Sequence, residues 1–165
     1  MTKDELIKAL QLTAHVEGGY YRRTFESTHQ TQIDNDSHNN ETRQLMSSIY
    51  YCLTDDSPIG HFHKNTSDIM HYWQLGSSLR YWLIDPSGSL SNVVLGPNLA
   101  AGEQLQLLVP GGIWKATTLD KGEFGLLSEA VCPGFDFADM TLANKAAMKD
   151  SFPDLFDQIE HLCHQ

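Results

Sequence analysis

The stretch Ile59-Gly60-His61-Phe62-His63-Lys64, followed by Asp68-Ile69-Met70-His71-Tyr72-Trp73-Gln74-Leu75 and closed by Gly76, reads as two short strands. Alternate residues of a strand share one face, so His61 and His63 are expected to project together, roughly 6–7 Å apart at the backbone. His71 shares its expected face with Ile69, Trp73 and Leu75. One polar ring among three apolar side chains is the pattern of a strand facing a cavity. Imidazoles so placed can converge on one divalent ion, and a buried histidine bonded to a backbone carbonyl would leave the same pattern.

Working outward, the same rhythm of short apolar runs and turn residues continues. Leu45–Leu53, Leu79–Ile84, Leu90–Leu95, Gln104–Val109, Ile113–Leu119 and Phe124–Val131 all read as strands. Between runs stand Asp55-Asp56-Ser57-Pro58, Gly76-Ser77-Ser78, Asp85-Pro86-Ser87-Gly88, Gly96-Pro97-Asn98, Pro110-Gly111-Gly112 and Asp120-Lys121-Gly122, which supply turn geometry. Eight strands at roughly ten-residue spacing without intervening helices predict a mainly β fold, an antiparallel sandwich or barrel. Thr2-Lys3-Asp4-Glu5 is a capping box, so a helix is expected over about residues 3–11. At the other end helix is expected over Leu142–Lys149. Ser151 then caps a second segment with Pro153 early and Phe152, Leu155, Phe156, Ile159 and Leu162 on one stripe. Ser27 to Thr42 carries Ile33 as its one sizeable apolar residue and reads as an exposed loop.

The composition narrows the partners. Eleven Lys plus Arg against 21 Asp plus Glu leave a formal charge of −10, which repels phosphate backbones and anionic lipid. No nucleic-acid or membrane partner is therefore expected. No apolar run approaches the ~18 residues of a membrane span, and the start, Met1-Thr2-Lys3-Asp4-Glu5-Leu6, has no secretory apolar region, so the expected compartment is the cytoplasm. Cys52, Cys132 and Cys163 are odd in number and far apart, which implies neither a disulfide framework nor a cysteine zinc site.

The chain resembles the cupin superfamily, small double-stranded β-helix (jelly-roll) barrels with two short motifs. His61, His63 and Gly76 fit the first motif; Gly102, Pro110 and Gly112 fit the second with slightly altered spacing. The resemblance is closer to the cupin-5 branch, whose members have no assigned role. It is carried by His15-Val16-Glu17-Gly18-Gly19-Tyr20-Tyr21-Arg22-Arg23, Ser48-Ile49-Tyr50-Tyr51-Cys52-Leu53, Phe62-His63-Lys64 and Cys132-Pro133-Gly134-Phe135-Asp136-Phe137. It implies one cupin domain over residues 1–165, a homodimer paired through an outer sheet, and N-terminal strands that cross to the partner. Two departures stand out: Ile69 occupies the place of the cupin metal-binding Glu, and Lys115 that of the second-motif His. A transition metal would then need an unusual set, His61, His63 and His71, with Lys115 nearby.

Three readings of function follow. In the first, a metal-independent sugar epimerase or isomerase, His63 or His71 is the base and Lys115 polarises the carbonyl oxygen. Tyr20, Tyr21, Tyr50 or Tyr51 returns the proton, and Arg22 and Arg23 hold an anionic group. The alternatives are a metal enzyme on the three histidines and a non-enzymatic module holding a sugar- or nucleotide-like metabolite. Trp73, Trp114, Phe62 and Tyr72 are expected to supply the pocket's aromatic wall, and Glu17, backed by two glycines, bonds a ligand hydroxyl or pairs with Arg22. A partner-facing edge strand at Tyr20–Arg23 and a solvated turn at Glu17 remain equally open. Phe135 and Phe137 are expected to be buried, closing the barrel.

Overall fold

The computed structural model describes residues 1–34 and 40–164. A first helix α1 (Lys3–Leu10) leads through β1 (Thr13–Ala14), β2 (Tyr20–Glu26), β3 (Gln30–Asp34), β4 (Asn40–Gln44) and β5 (Ser47–Thr54). Then come β6 (Ile59–Asn65), β7 (Asp68–Gly76), β8 (Leu79–Ile84), β9 (Leu90–Leu95), β10 (Gln106–Val109), β11 (Trp114–Thr118), β12 (Phe124–Cys132) and β13 (Met140–Leu142). Helices α2 (Lys145–Ser151) and α3 (Phe156–Ile159) end the chain. All eight expected strands form, within two residues at either end. One sheet runs β1-β2-β5-β12-β7-β10 and the other β13-β6-β11-β8-β9. They face each other as a double-stranded β-helix with short helices at its ends. Among the described residues, no helix is long and apolar enough to cross a membrane.

Alternation puts three different environments on the two sheets. Between them lie Tyr51, Leu53, Leu79, Tyr81, Leu95, Leu119 and Leu127, an apolar plug at one pole of the barrel. Outside the six-stranded sheet, Leu6 and Leu12 pack on Cys52, Phe124 and Leu126. Outside the five-stranded sheet, Met148, Phe156, Ile159 and Leu162 cover Phe62, Ile84 and Ala116. Each such side chain contributes roughly 1.5–3 kcal/mol, which holds the terminal helices down. The expected capping box forms: Thr2 Oγ1 accepts from the Glu5 amide, and Glu5 accepts from the Thr2 amide.

Several expectations are corrected. Gln30–Asp34 and Asn40–Gln44 pair as the antiparallel strands β3 and β4, from Gln30 opposite Gln44 to Asp34 opposite Asn40, because ladder bonds need no apolar side chains. The middle of the expected loop, 35–39, lies outside the described residues. Tyr20 and Tyr21 are not an edge, since β1 covers them on one side and β5 on the other, whereas Arg22 and Arg23 pair with β5 alone. Ser151 ends α2 instead of capping α3, which starts after Leu155 without a side-chain cap. Proline disfavours helical backbone in the residue before it, and Phe152 accordingly leaves the helix ahead of Pro153. Leu75 leaves the face of Trp73, because the register against β12 slips between Leu126 and Leu127 and inserts Gln74.

Candidate functional site

The other pole of the barrel is polar. On β6 and β11, His63 lies directly opposite Lys115; on β7 and β12, His71 lies directly opposite Glu129. The two sheets therefore bring two cross-strand pairs into one interior. Lys115 Nζ donates to His71 Nε2 at 2.8 Å, and His71 in turn donates from Nδ1 to the Leu107 carbonyl at 3.2 Å. Glu129 lies 3.6 Å from His71 Nε2 and 3.9 Å from Lys115 Nζ. Burial, and then the charge of Lys115, push His71 well below the usual imidazole range, so it serves as a neutral acceptor.

A second carboxyl arrives from the loop between β1 and β2. Gly18 and Gly19 have φ of 101° and 69°, and a Cβ at Gly18 would overlap the Ile59 carbonyl. The loop therefore lies flat on β6. The His61 amide and His61 Nδ1 both donate to the Glu17 carbonyl, at 2.6 and 2.8 Å, and Tyr51 Oη donates to the Gly18 carbonyl at 2.9 Å. So clamped, the backbone delivers the Glu17 carboxyl inward, 3.4 Å from His63 Nε2 and 3.6 Å from His15 Nδ1. His63 donates from Nδ1 to the His61 carbonyl at 2.9 Å, which leaves its Nε2 lone pair facing Glu17. Burial lifts the Glu17 carboxyl to about 8; Lys115 opposes the rise and Glu129 adds to it. Burial likewise lowers His15 to about 4 and His63 well below its ordinary value, helped in both by Lys115. Near neutral pH Glu17 is thus a protonated donor among neutral imidazoles. Glu129 is also raised by burial, with Lys115 pulling it back toward the ionised form.

These groups meet a cavity of about 380 Å³. His15, Glu17, His63, Asn65 and Glu129 supply its polar lining; Ile49, Ile69 and Val131 supply apolar wall. Phe135, Phe137 and Arg23 also line it. Tyr21 borders it, its ring edge-on to His15 at 4.4 Å.

The residues singled out in the sequence divide accordingly. Glu17, Tyr21 and His63 border the cavity, while His71 and Lys115, 0% and 2% exposed, are sealed behind it. Glu17 is no solvated turn residue, nor does it pair with Arg22. Arg22 borders the cavity, but its guanidinium lies over the Tyr50 ring at 5.8 Å and reaches Gln11 Oε1 at 3.5 Å. Tyr50 itself packs with the α1 cluster outside the sheet. Trp73 belongs to the apolar plug and donates from Nε1 to the Ser77 carbonyl at 3.3 Å. Phe62 and Trp114 face the C-terminal helices, and Tyr72 is not in the lining either, so the expected aromatic wall is absent from this cavity. Phe135 and Phe137 are not buried: Phe137 is 54% exposed.

His61 departs most. The β6–β11 register slips between Lys115 and Thr117, so Ala116 faces both His61 and Phe62. This bulge reverses the alternation. Gly60 and His63 share the interior, and His61 turns to the opposite side, edge-on to His164 at 5.5 Å. The three-histidine set does not assemble. His61 is directed away, Ile69 has no donor atom, and the Lys115 ammonium occupies His71 Nε2. Among the described residues, no group of three or more His, Cys, Asp or Glu is placed to hold a metal. The residues present do not fit the usual cupin metal. Reading the sequence alone passed over His15 and Glu129. The signal for Glu129 was there: it alternates with Leu127 and Val131 on β12, as His71 does with Ile69 and Trp73 on β7.

Comparison with known proteins agrees with this architecture. An uncharacterised protein of Saccharomyces cerevisiae is 42% identical over 147 residues, covering 83% of this chain and 73% of the yeast protein. A solved Shewanella oneidensis protein is 37% identical, with a TM-score of 0.88 over 99% of this chain and 98% of that one. Bacillus subtilis oxalate decarboxylase shares the fold alone, at 16% identity and a TM-score of 0.54, over 90% of this chain and 36% of that one. The family described as Cupin superfamily (DUF985), Cupin_5, matches residues 4–143, and the chain belongs to it.

Proposed function

We propose that the cavity binds a small polar metabolite bearing a carbonyl group and moves a proton on it, the chemistry of a metal-independent epimerase or isomerase. The observation that carries this reading is the convergence of two carboxyls on one small cavity. They come from different sides, Glu17 from the loop on β6 and Glu129 from β12. Their settings differ: Glu129 lies 3.9 Å from the Lys115 ammonium, whereas the charged or titratable side chains within 4 Å of the Glu17 carboxyl, among the described residues, are the His63 and His15 imidazoles. Pairs of titratable groups held in unlike environments are how one site supplies both a base and an acid. Glu129, as carboxylate, removes the proton next to the carbonyl. Glu17, as acid, protonates the oxygen as the enol forms. On an α-hydroxy carbonyl substrate the enediol then takes a proton from Glu129 on the former carbonyl carbon while the Glu17 carboxylate takes the proton of the neighbouring hydroxyl, which moves the carbonyl by one position and restores both groups. Of the four tyrosines considered as proton donors, Tyr21 is the one in the lining.

The test is exchange of substrate C–H protons into deuterated water over a panel of keto-sugars and keto-sugar nucleotides. Exchange with at least one of them, lowered at least about 100-fold in Glu129→Gln, is expected. No exchange across the panel, together with a stabilising metabolite recovered unchanged, would replace catalysis by simple binding. We also propose a homodimer. Leu75, Leu99, Leu105 and Leu108 are exposed on and beside β7 and the open edge strand β10, an apolar strip suited to a second copy.

A further inference from the structure

The main cavity is layered along its strands. Its inner layer holds His63 and Glu129; the next layer toward the mouth is divided between one amide and an aliphatic wall. Asn65 follows His63 by two positions on β6. The unbroken register of β13 against β6, with Met140 opposite Asn65 and Leu142 opposite His63, keeps both side chains on one face. The Gly112 amide fixes the Asn65 carbonyl at 2.8 Å. On the other sheet Ile69 lies directly opposite Val131, two positions from His71 on β7 and from Glu129 on β12. Asn65, Ile69 and Val131 all line the cavity. Two residues along a strand place this layer roughly 6–7 Å above the first.

Asn65 is the polar member of that layer and is 7% exposed. Its Oδ1 is buried without a hydrogen-bond partner among the described residues, so Nδ2 is the end of the amide presented to the cavity. A buried oxygen left unpaired costs stability, and a leucine of nearly the same shape would avoid that cost. A side chain that destabilises the fold while aiming a donor at the space above the carboxyls has its use in a ligand. Asn65, Ile69 and Val131 carry no charge. The layer therefore suits a neutral acceptor on one side and C–H surface on the other. A carbon chain bearing hydroxyls along one edge has that shape.

We propose that Asn65 is the specificity-determining residue of the cavity, its Nδ2 donating to a substrate hydroxyl beyond the reacting carbonyl, and that the substrate is an open-chain polyhydroxy ketone or aldehyde whose C–H edge lies on Ile69 and Val131. The layer spacing puts that hydroxyl about two or three carbons from a carbonyl held between Glu17 and Glu129. The inference rests on the carbonyl reading of the cavity and adds what the substrate carries besides the carbonyl. A simple α-hydroxy ketone satisfies the carboxyls equally but leaves Asn65 unpaired, and a site built to bond a hydroxyl discriminates against a substrate that lacks it.

Proton exchange and isothermal titration with ribulose and xylulose, set against 1,3-dihydroxypentan-2-one, test it; the last compound keeps the α-hydroxy carbonyl and lacks the outer hydroxyls. The wild type should exchange a pentulose with kcat/KM at least about tenfold above the deoxy compound, and bind it more tightly. Asn65→Leu should bring the pentuloses down to the level of the deoxy compound, with a thermal midpoint no lower than that of the wild type. Asn65→Ala should lose the same preference, which separates the missing donor from a clash with leucine. Equal handling of pentulose and deoxy compound, a preference that survives both substitutions, or a protein that neither exchanges nor binds a pentulose would each overturn the assignment. Glu129→Gln separates the two proposals: exchange is lost and the preference in binding persists. Exchange without preference would remove the role of Asn65 and spare proton transfer; Asn65-dependent binding without exchange would do the reverse.

Discussion

Glu17 is the residue whose ionisation most constrains the molecule. Its folded carboxyl titrates at about 8 against an ordinary 4.5, so between those values the native state holds a proton that the unfolded chain has released. Stability therefore falls as pH rises through that window and levels off above it. His15, lowered to about 4 from 6.5, has the opposite sign: the unfolded chain binds more protons there, and stability rises with pH up to about 6.5. Between about pH 6.5 and 8 the histidine slope is spent, and Glu17 acts together with Glu129, which burial also raises and which has the same sign. Thermal unfolding over that interval should show the wild type losing stability more steeply than Glu17→Gln. Parallel curves would mean that Glu17 is ionised in the fold. Lys115 acts through Glu129 and His71 without touching the cavity, so it is a positioning residue. Lys115→Met should move the acidic limb of the exchange–pH profile to higher pH as Glu129 loses its cation, with Lys115→Arg restoring part of the wild-type profile; an unmoved acidic limb in Lys115→Met would confine Lys115 to packing.

At the scale of the element, a turn and a bulge decide what the cavity contains. The Gly18-Gly19 turn holds Glu17 against β6 because a side chain at Gly18 would strike the Ile59 carbonyl while its φ is positive. Gly18→Ala is expected to cost more than about 2 kcal/mol in denaturant unfolding and to lift Glu17 out of the cavity. Loss of stability without loss of ligand binding would show that the turn does not position the carboxyl. The bulge at His61 and Phe62 has the complementary effect, removing an imidazole that simple alternation would place inside. Protein prepared without a histidine tag should accordingly carry less than about a tenth of an equivalent of transition metal by mass spectrometry. A full equivalent would show that the interior rearranges to bind one.

Over the whole molecule, apolar packing and buried titratable groups are partitioned between the two poles of one barrel. The apolar plug at one pole provides the stability that lets the other tolerate several buried titratable groups with few mutual bonds. The strip of exposed leucines by β10 belongs to neither pole. Sedimentation should find a dimer that Leu108→Glu converts to monomer with the fold intact. A monomeric wild type at micromolar concentration would remove the proposed pairing.

The amino-acid sequence alone determined the eight strands β5 to β12, the first helix, the helical character of the C-terminal end and the family resemblance. Apolar alternation, turn residues and capping boxes act over a few positions and are written locally. It also pointed to His71 as a polar ring among apolar neighbours, to His63 as half of an H-x-H pair, to Glu17 by the two glycines behind it and to Lys115 by its place in the cupin motif. Only the tertiary structure decided which of them touch the cavity. Whether alternation survives a strand depends on register with a neighbour, and that is how His61 and Leu75 changed sides. The meeting of Glu17 with Glu129, 112 positions apart, exists only because two sheets close on one another. His15, Glu129 and Asn65 acquire their chemistry from that closure, through burial, a nearby ammonium and an aliphatic wall on the other sheet.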